Sequence, residues 1–181
     1  MEPAIVEQGG RVSKLRSSLT ALAFLLAPTI PATAGPKAAI FRFELIDVSI
    51  DGELHGPRVE ETQRLDLVTQ ELRQLAAREG GYELVDLSGL TAEIEKAAPL
   101  HKCGGCEVDI AHRAGAEIAI TGTVRKVSNL ILGFTIEVRD VSTGRLTRVL
   151  QASIRGNTDE SWLRGIRWLV ANRLLVPEGQ R

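Results

Sequence analysis

The feature that most constrains the fold of this 181-residue chain is a strictly alternating segment in its second half. From Leu130 to Arg139 every even position is a large apolar residue, and the odd positions are polar or glycine except for Ile131. Side chains in a β-strand point alternately to opposite faces, so a period of two places all the even positions on one face. The segment therefore predicts a strand with one buried and one open face.

The segments on either side predict two more strands, at residues 117–127 and 145–155. Ser128-Asn129 is typical of a tight turn between the first two of these strands. Asp140–Gly144 is typical of a hairpin loop, in which glycine at the last position supplies a positive φ. We therefore expect an antiparallel meander of three strands.

The preceding part of the chain has the pattern of a parallel crossover. Residues 38–50 predict a strand covered on both faces, residues 51–57 a polar loop, residues 59–79 a helix and residues 82–87 a second strand. A helix between two strands favours their parallel pairing through a right-handed connection. The apolar stripe of the helix is expected at Leu65, Val68, Leu72, Leu75 and Ala76.

Three further helices complete the pattern. Residues 91–98 and 106–114 predict short helices, and residues 158–175 predict a long one that Asn157 and Glu160 are expected to cap. The order βαβααβββα predicts an α/β (α+β) fold, a five-stranded mixed sheet packed with helices. The buried stripe of the last helix is expected at Trp162, Ile166, Leu169, Val170 and Leu174.

Residues 1–34 have the pattern of a secretory signal peptide. Basic residues precede a short apolar run from Leu19 to Ala27, and Ala32-Thr33-Ala34 is a small-residue cleavage site. The alternative, an uncleaved membrane anchor, is disfavoured because the run is about half of the ~20 residues that span a bilayer. We expect residues 35–176 to form a single secreted globular domain, with residues 177–181 as a loose tail.

The charge of the chain argues against nucleic acid as a partner. Residues 1–34 hold three of the 22 basic and two of the 23 acidic residues, so the remainder has a formal net charge of −2. Its lysines and arginines are scattered, whereas phosphate binding needs a concentrated basic surface. No cysteine stands at the cleavage site and no second long apolar run exists, so we expect neither a lipid anchor nor stable membrane insertion after cleavage.

Cys103 and Cys106 are the two cysteines of the chain, separated by two glycines. In an exported chain the pattern favours a local disulfide. One alternative is thiol–disulfide exchange, because a thiol at the start of a helix ionises more readily. Another alternative is a soft-metal site, whose ligands would come from His101, Cys103, Cys106 and His112, although this spacing matches no standard zinc pattern.

Two other groups of residues invite a functional interpretation. Arg155, Asp159 and Trp162 are a possible docking surface at the start of the last helix, although helix capping and core packing account for the same residue types. Asp47, Asp51 and Glu53 suggest a cation-binding loop after the first strand, but they lack the spacing of a calcium loop, which favours a solvated strand end.

The sequence contains no catalytic constellation. It has no serine in a nucleophile elbow and no glycine-rich phosphate loop after the first strand. We therefore expect no cofactor, and an enzymatic activity is not predicted.

Several motifs resemble those of a bacterial family of small predicted secreted proteins known only as a domain of unknown function. The resemblance covers essentially the whole domain, and KVSNLIL and RGNTDESW are its most distinctive parts. It implies an exported, periplasmic location in a Gram-negative bacterium and no particular activity. The motifs lie at residues 103–110 (CGGCEVDI), 115–122 (GAEIAITG), 126–132 (KVSNLIL), 139–144 (RDVSTG) and 155–162 (RGNTDESW).

A wider pattern, from Gly115 to Gly144, is similar to periplasmic domains related to the TolB N-terminal domain and to the curli secretion lipoprotein CsgG. Those domains are envelope assembly and interaction modules with a mixed sheet backed by helices. The chain lacks the lipid-attachment cysteine of the secretion lipoproteins and the propeller of TolB. The resemblance therefore implies neither pore formation nor propeller-type partners.

Together these patterns predict a periplasmic accessory or binding protein that acts through contacts with an envelope protein partner. The alternative hypothesis is a thiol-redox or soft-metal-binding protein that uses Cys103 and Cys106.

Overall fold

The computed structural model describes residues 35–176, which contain six strands and five α-helices. The predicted signal peptide and the predicted tail at residues 177–181 lie outside the described residues. The strands are β1 (Lys37–Ile40), β2 (Glu44–Asp47), β3 (Glu83–Leu84), β4 (Ile118–Ser128), β5 (Ile131–Asp140) and β6 (Leu146–Arg155). The α-helices are α1 (Ile50–His55), α2 (Val59–Arg78), α3 (Thr91–Ala97), α4 (Cys106–Arg113) and α5 (Asp159–Leu169), the last continued by a π-helical turn (Val170–Leu174).

The strands form one mixed sheet in the order β3-β1-β4-β5-β6, with β2 also paired to β4. Strands β1 and β2 run parallel to β4, and β1 runs parallel to β3. Strands β4, β5 and β6 form the antiparallel meander. The predicted mixed α+β architecture, with a parallel crossover followed by a meander, is therefore confirmed.

The first strand is shorter than predicted, because the segment at residues 38–50 contains β1, β2 and the start of α1. Ile40 faces Ile120 of β4, and Glu44 faces Thr123. The chain thus advances four residues from β1 to β2 while β4 advances three, so one extra residue forms a bulge between β1 and β2.

Phe43 occupies the bulge and explains its stability. Its backbone N–H donates to Thr69 Oγ1 of α2, at 2.9 Å, instead of to β4. Its ring lies over Gly122 of β4, where a Cβ atom would come within 2.4 Å of ring carbons. The absence of a side chain at Gly122 therefore makes room for the ring.

The predicted loop at residues 51–57 was also wrong, since α1 covers most of it. The backbone N–H of Gly52 donates to Ser49 Oγ at 3.0 Å, so a serine caps this short helix. In α5 the cap is Thr158, paired reciprocally with Ser161, and not Asn157 with Glu160 as expected.

Two smaller predictions are corrected as well. The turn between β4 and β5 consists of Asn129 and Leu130, one position later than predicted. Of the expected strand at residues 82–87, Glu83–Leu84 alone pairs with β1.

The core lies on both faces of the sheet. On one face, α2 and α5 pack with their predicted apolar stripes against the sheet, although Leu75 is half-buried. On the other face, α3 and α4 cover a smaller cluster around Phe41 and Ile110. Among residues 35–176 no helix combines the length and the apolar character needed to cross a bilayer.

Candidate functional site

The predicted cysteine pair closes a loop immediately before α4. A disulfide joins Cys103 to Cys106, the first residue of that helix, with their Cα atoms 5.7 Å apart. The two glycines between them both have positive φ, which lets the chain reverse within four residues.

Two carboxylates fasten this loop to the sheet. Glu44 of β2 accepts hydrogen bonds from the backbone N–H groups of Leu100 (2.6 Å) and His101 (3.0 Å), and it also lies 2.6 Å from the His101 ring. Glu107 is buried, 2.8 Å from Arg139 Nε on β5. The loop is therefore held rigidly against β2 and β5.

The four residues predicted as soft-metal ligands are not brought together. The ring of His101 is paired with Glu44, and His112 is exposed on α4. Among residues 35–176, the sulfur- and carboxylate-bearing group that does converge consists of Cys103, Cys106 and Glu107. Sequence reasoning missed Glu107, although its place four residues after Cys103, directly behind the pair, was visible.

A second polar centre lies at the end of the sheet where β2, β4 and β6 end and β5 begins. Lys126 of β4 is completely buried there. Its Nζ lies 2.6 Å from Glu61 Oε1 of α2, 3.1 Å from Asp47 Oδ2 of β2 and 3.5 Å from Asp51 Oδ2 of α1. We call these four residues, Lys126, Glu61, Asp47 and Asp51, the lysine cluster.

The two most distinctive motifs meet at the lysine cluster. Asn157 donates from Nδ2 to Glu61 Oε1 (2.7 Å) and to Asn129 Oδ1 (3.2 Å). Its Oδ1 accepts from Trp162 Nε1 at 2.9 Å. KVSNLIL thus contributes Lys126 and Asn129, and RGNTDESW contributes the amide and the indole that complete the network.

Sequence reasoning missed the lysine cluster, although a signal existed. Ile120, Gly122 and Val124 of β4 face the core, so Lys126 stands at the next core-facing position. The solvated strand end predicted for Asp47 and Asp51 is corrected, since both side chains pair with the buried lysine of the chain itself.

Three members of the lysine cluster, Asp47, Asp51 and Lys126, stay charged over the physiological pH range. Hydrogen bonds from Arg58 hold the pKa of Asp51 at about 2, against the opposing effect of burial. Burial raises the pKa of Asp47, but hydrogen bonds from Ser49 and Lys126 outweigh it and leave that pKa below its ordinary value. Burial lowers the pKa of Lys126, and the bonds to Glu61 and Asp47 reverse this to a raised pKa. The arrangement suits bracing four elements, and not proton transfer near neutral pH.

The predicted docking residues lie at the same end of the sheet but in different environments. Arg155 is exposed at the end of β6, and Asp159 forms an ion pair with Arg64 at 2.7 Å. Trp162 is fully buried and packs edge-on against Phe134, with the ring centroids 5.8 Å apart. Docking at this end of the sheet remains a prediction. Trp162 would support such a surface only from within the core, because it is buried.

Exposed apolar side chains gather at this end of the sheet. They come from the end of β2, from one face of α1 and from the β4–β5 turn, and they are between 43% and 75% exposed. The backbone N–H of Val48 donates to the carbonyl of Lys126, so the residues just before α1 adjoin the end of β4. We call these six residues the hairpin-end surface: Val48, Ile50, Leu54, Val127, Leu130 and Ile131.

The fold and these sites define a small α+β domain with a braced sheet end and an apolar surface beside the brace. The chain belongs to the DUF3280 family, described as a protein of unknown function (DUF2380), whose family model matches residues 36–174. This agrees with the expected family of unknown function. Among curated proteins none matches the chain.

Three solved structures show the extent of the likeness. The LpoB C-terminal domain from Salmonella enterica is 16% identical, with a TM-score of 0.49, covering 69% of this chain and 86% of that one. Lipoprotein GNA1162 from Neisseria meningitidis is 15% identical, with a TM-score of 0.49, and the match covers 81% of this chain and 99% of that one. TolB from Acinetobacter baumannii is 10% identical, with a TM-score of 0.38, and the match covers 69% of this chain and 24% of that one.

Proposed function

We propose that the protein is a periplasmic accessory protein that binds another envelope protein through the hairpin-end surface. The observation that carries this proposal is the exposure of six large apolar side chains at one end of the sheet. Large apolar side chains gathered in water at one end of a domain are costly and typically mark an interaction site. The leader-like pattern of residues 1–34 and the disulfide support an oxidising, extracytoplasmic location.

The rigidity beneath the surface supports the same function. Val48 directly follows Asp47, Ile50 directly precedes Asp51, and Val127 directly follows Lys126. The ion pairs of the lysine cluster therefore hold the backbone at the end of β2, at the start of α1 and at the end of β4. A preformed surface loses little conformational entropy on binding, which leaves more of the contact energy as affinity.

The surrounding charges support a partner of complementary charge. Glu53 of α1 and Arg155 of β6 are exposed, and neither has an ion-pair partner among residues 35–176. A partner with an apolar centre, a basic group towards α1 and an acidic group towards β6 would complement both charge and shape.

Position-specific photo-crosslinking in living cells tests this proposal. A photoreactive residue at Leu54 or at Leu130 is expected to capture the same envelope protein, while one at exposed Lys96 of α3 captures none. With that protein purified, Leu130→Asp should weaken binding at least tenfold, because a charge would be buried in the interface. Lys96→Glu is the matched control and should leave binding unchanged. Equal capture from Leu130 and Lys96, or unaltered binding by Leu130→Asp, would contradict the proposal.

The alternative, a thiol-redox or soft-metal function, has weaker support. The Glu107 carboxylate lies 3.5 Å from Cys103 Sγ and is buried. The two histidines predicted as further metal ligands do not join the sulfur atoms, since His101 is paired with Glu44 and His112 is exposed on α4. The geometry therefore favours a disulfide with a structural role.

A further inference from the structure

Strand β6 is an unprotected edge of the sheet. It is ten residues long, and it is the outermost strand in the order β3-β1-β4-β5-β6. Natural edge strands are usually shortened, bulged, or interrupted by lysine or proline, which prevents pairing with other chains. Residues 146–155 contain neither lysine nor proline, and their two charged side chains are Arg148, which donates to the carbonyl of Leu174, and Arg155 at the end of the strand. Their pairing with β5 is regular from Ile131 to Val138.

The alternation of hydrogen-bonded and non-hydrogen-bonded pairs between β5 and β6 shows which backbone groups of β6 are free. The N–H of Gly156 donates to the carbonyl of Leu130, which fixes the alternation along the β5–β6 pair. In this alternation four residues of β6 direct their backbone N–H and C=O groups away from β5, and these groups have no hydrogen-bond partner within residues 35–176. The four residues are Val149, Gln151, Ser153 and Arg155.

We propose that two copies of this chain join through β6, antiparallel, about a two-fold axis at Ala152, to form one continuous sheet. In this register Gln151 faces Ser153 of the copy, and Val149 faces Arg155 of the copy. No like charges oppose each other. Shifting the axis to Leu150 would place Arg155 against Arg145 of the copy, and directly opposed like charges are destabilising.

The helices fit the same arrangement. Gly165 of α5 lies directly over Ile154 of β6 and Phe134 of β5, since a Cβ atom there would come within 2.4 Å and 2.9 Å of those side chains. Strands are ~4.8 Å apart, so a helix over the β5–β6 gap lies about 10 Å from its copy across the axis. That is the distance at which helices pack, about 8–10 Å.

A groove already exists where the copy of α5 would lie. It has a volume of about 620 Å³ and runs between β6 and α5. Ser161, Gly165 and Trp168 line it at the helical spacing of one face, and Trp168 is 47% exposed. Self-pairing would therefore satisfy the free backbone groups and cover the half-exposed indole in the same step.

Charge substitutions at Gln151 and Ser153 test both the dimer and its register. Both side chains are exposed, and their neighbours on β5, Thr135 and Gly133, are uncharged. Gln151→Lys with Ser153→Lys places like charges opposite each other twice across the axis. Gln151→Glu with Ser153→Lys places opposite charges there twice, at the same positions.

Sedimentation equilibrium of the purified protein is the measurement. We expect a mass twice that of the monomer for the wild type. The dissociation constant should rise about tenfold or more for the Lys/Lys variant and should be equal to or below the wild-type value for the Glu/Lys variant. Thermal melts should show that both variants fold. A monomeric wild type, or equal dissociation constants for the two variants, would overturn the proposal. Leu130→Asp should leave dimerisation unchanged, which separates this edge from the hairpin-end surface.

Discussion

At Lys126 one cation holds carboxylates from β2, α1 and α2 against β4. Exposed ion pairs contribute about 0–1 kcal/mol each, whereas breaking a buried pair by removing one partner costs about 3–5 kcal/mol. Because Lys126 and Glu61 are both shielded from water, the second case applies to this pair. Removing the lysine should therefore affect the whole end of the sheet.

Lys126→Met is expected to lower the free energy of unfolding by about 3–5 kcal/mol, because Glu61 would remain buried without a cation. Urea denaturation measures the loss, and Glu61→Gln in the same chain should recover part of it. Arg125→Met is the matched control on the adjacent, exposed position of β4, with an expected change within about 0.5 kcal/mol. A loss for Lys126→Met no greater than that of the control would contradict a role for the cluster in stability.

Asp51 makes the stability dependent on acid pH. Its pKa in the folded protein is about 2, below the ordinary value of 3.8, chiefly because Arg58 donates hydrogen bonds to it. The unfolded state therefore binds the proton more readily. Asp51 thus stabilises the fold fully above about pH 4, and this contribution is lost as the pH falls towards 2.

Asp51→Asn should accordingly lower stability at pH 6 and flatten the fall in stability between pH 4 and pH 2. Urea unfolding at a series of pH values measures both effects. Glu53→Gln, on the same helix and without an ion pair among residues 35–176, serves as the control. An Asp51→Asn variant with the same steep acid dependence as the wild type would show that other groups are responsible.

Long elements could be predicted because their periodicity extends over many residues. Helix α2 and the β4–β6 meander bury the apolar stripes that their spacing indicates. The bulge at Phe43 could not be predicted, because apolar residues continue through it and the extra residue is visible only against β4. Helix α1 was missed because six residues with an internal glycine have the composition of a loop.

The same limit applies to the candidate site. The cysteine pair was predictable because its two members are neighbours in sequence. The lysine cluster joins positions from 47 to 126. The alternation of β4 indicates the face that Lys126 occupies, but which carboxylates it meets there depends on the pairing of distant elements, which no local pattern determines.

Gly122→Ala tests the packing at the bulge. The new methyl group would collide with the Phe43 ring, so we expect a loss of about 1–3 kcal/mol in unfolding free energy. Gly133→Ala on β5 is the matched control, since its nearest neighbour would lie 3.9 Å away and little change is expected. Combining Gly122→Ala with Phe43→Leu should recover part of the loss. Equal stability of the two glycine variants would refute the close approach.

For the whole molecule, the disulfide closes a very short loop on a surface that is already anchored. Glu44 and Glu107 hold the same loop on β2 and β5. The bond is therefore one of several attachments, and the domain should fold without it.

Cys103→Ser with Cys106→Ser should give a folded protein that is less stable by about 2 kcal/mol, the chain-entropy value for a loop of this size. Differential scanning calorimetry measures the lower melting temperature, and the wild type in excess reductant should melt at the same lower temperature. A double variant that fails to fold, or one whose melting temperature equals that of the oxidised wild type, would contradict this view of the disulfide.

The parallel pairing of β1 with β4 determines the order in which the domain can assemble. Ala38 and Ile118, which face each other, are about 80 positions apart, whereas β4, β5 and β6 are joined by loops of a few residues. Closing the larger loop costs more entropy and takes longer, so we expect the meander to form before β1 pairs with β4. If the chain is exported amino terminus first, as the leader-like pattern of residues 1–34 predicts, β1 would lack its neighbour until most of the polypeptide has followed. During that interval an apolar, extended segment is open to holdase chaperones, and to proteases if they are absent.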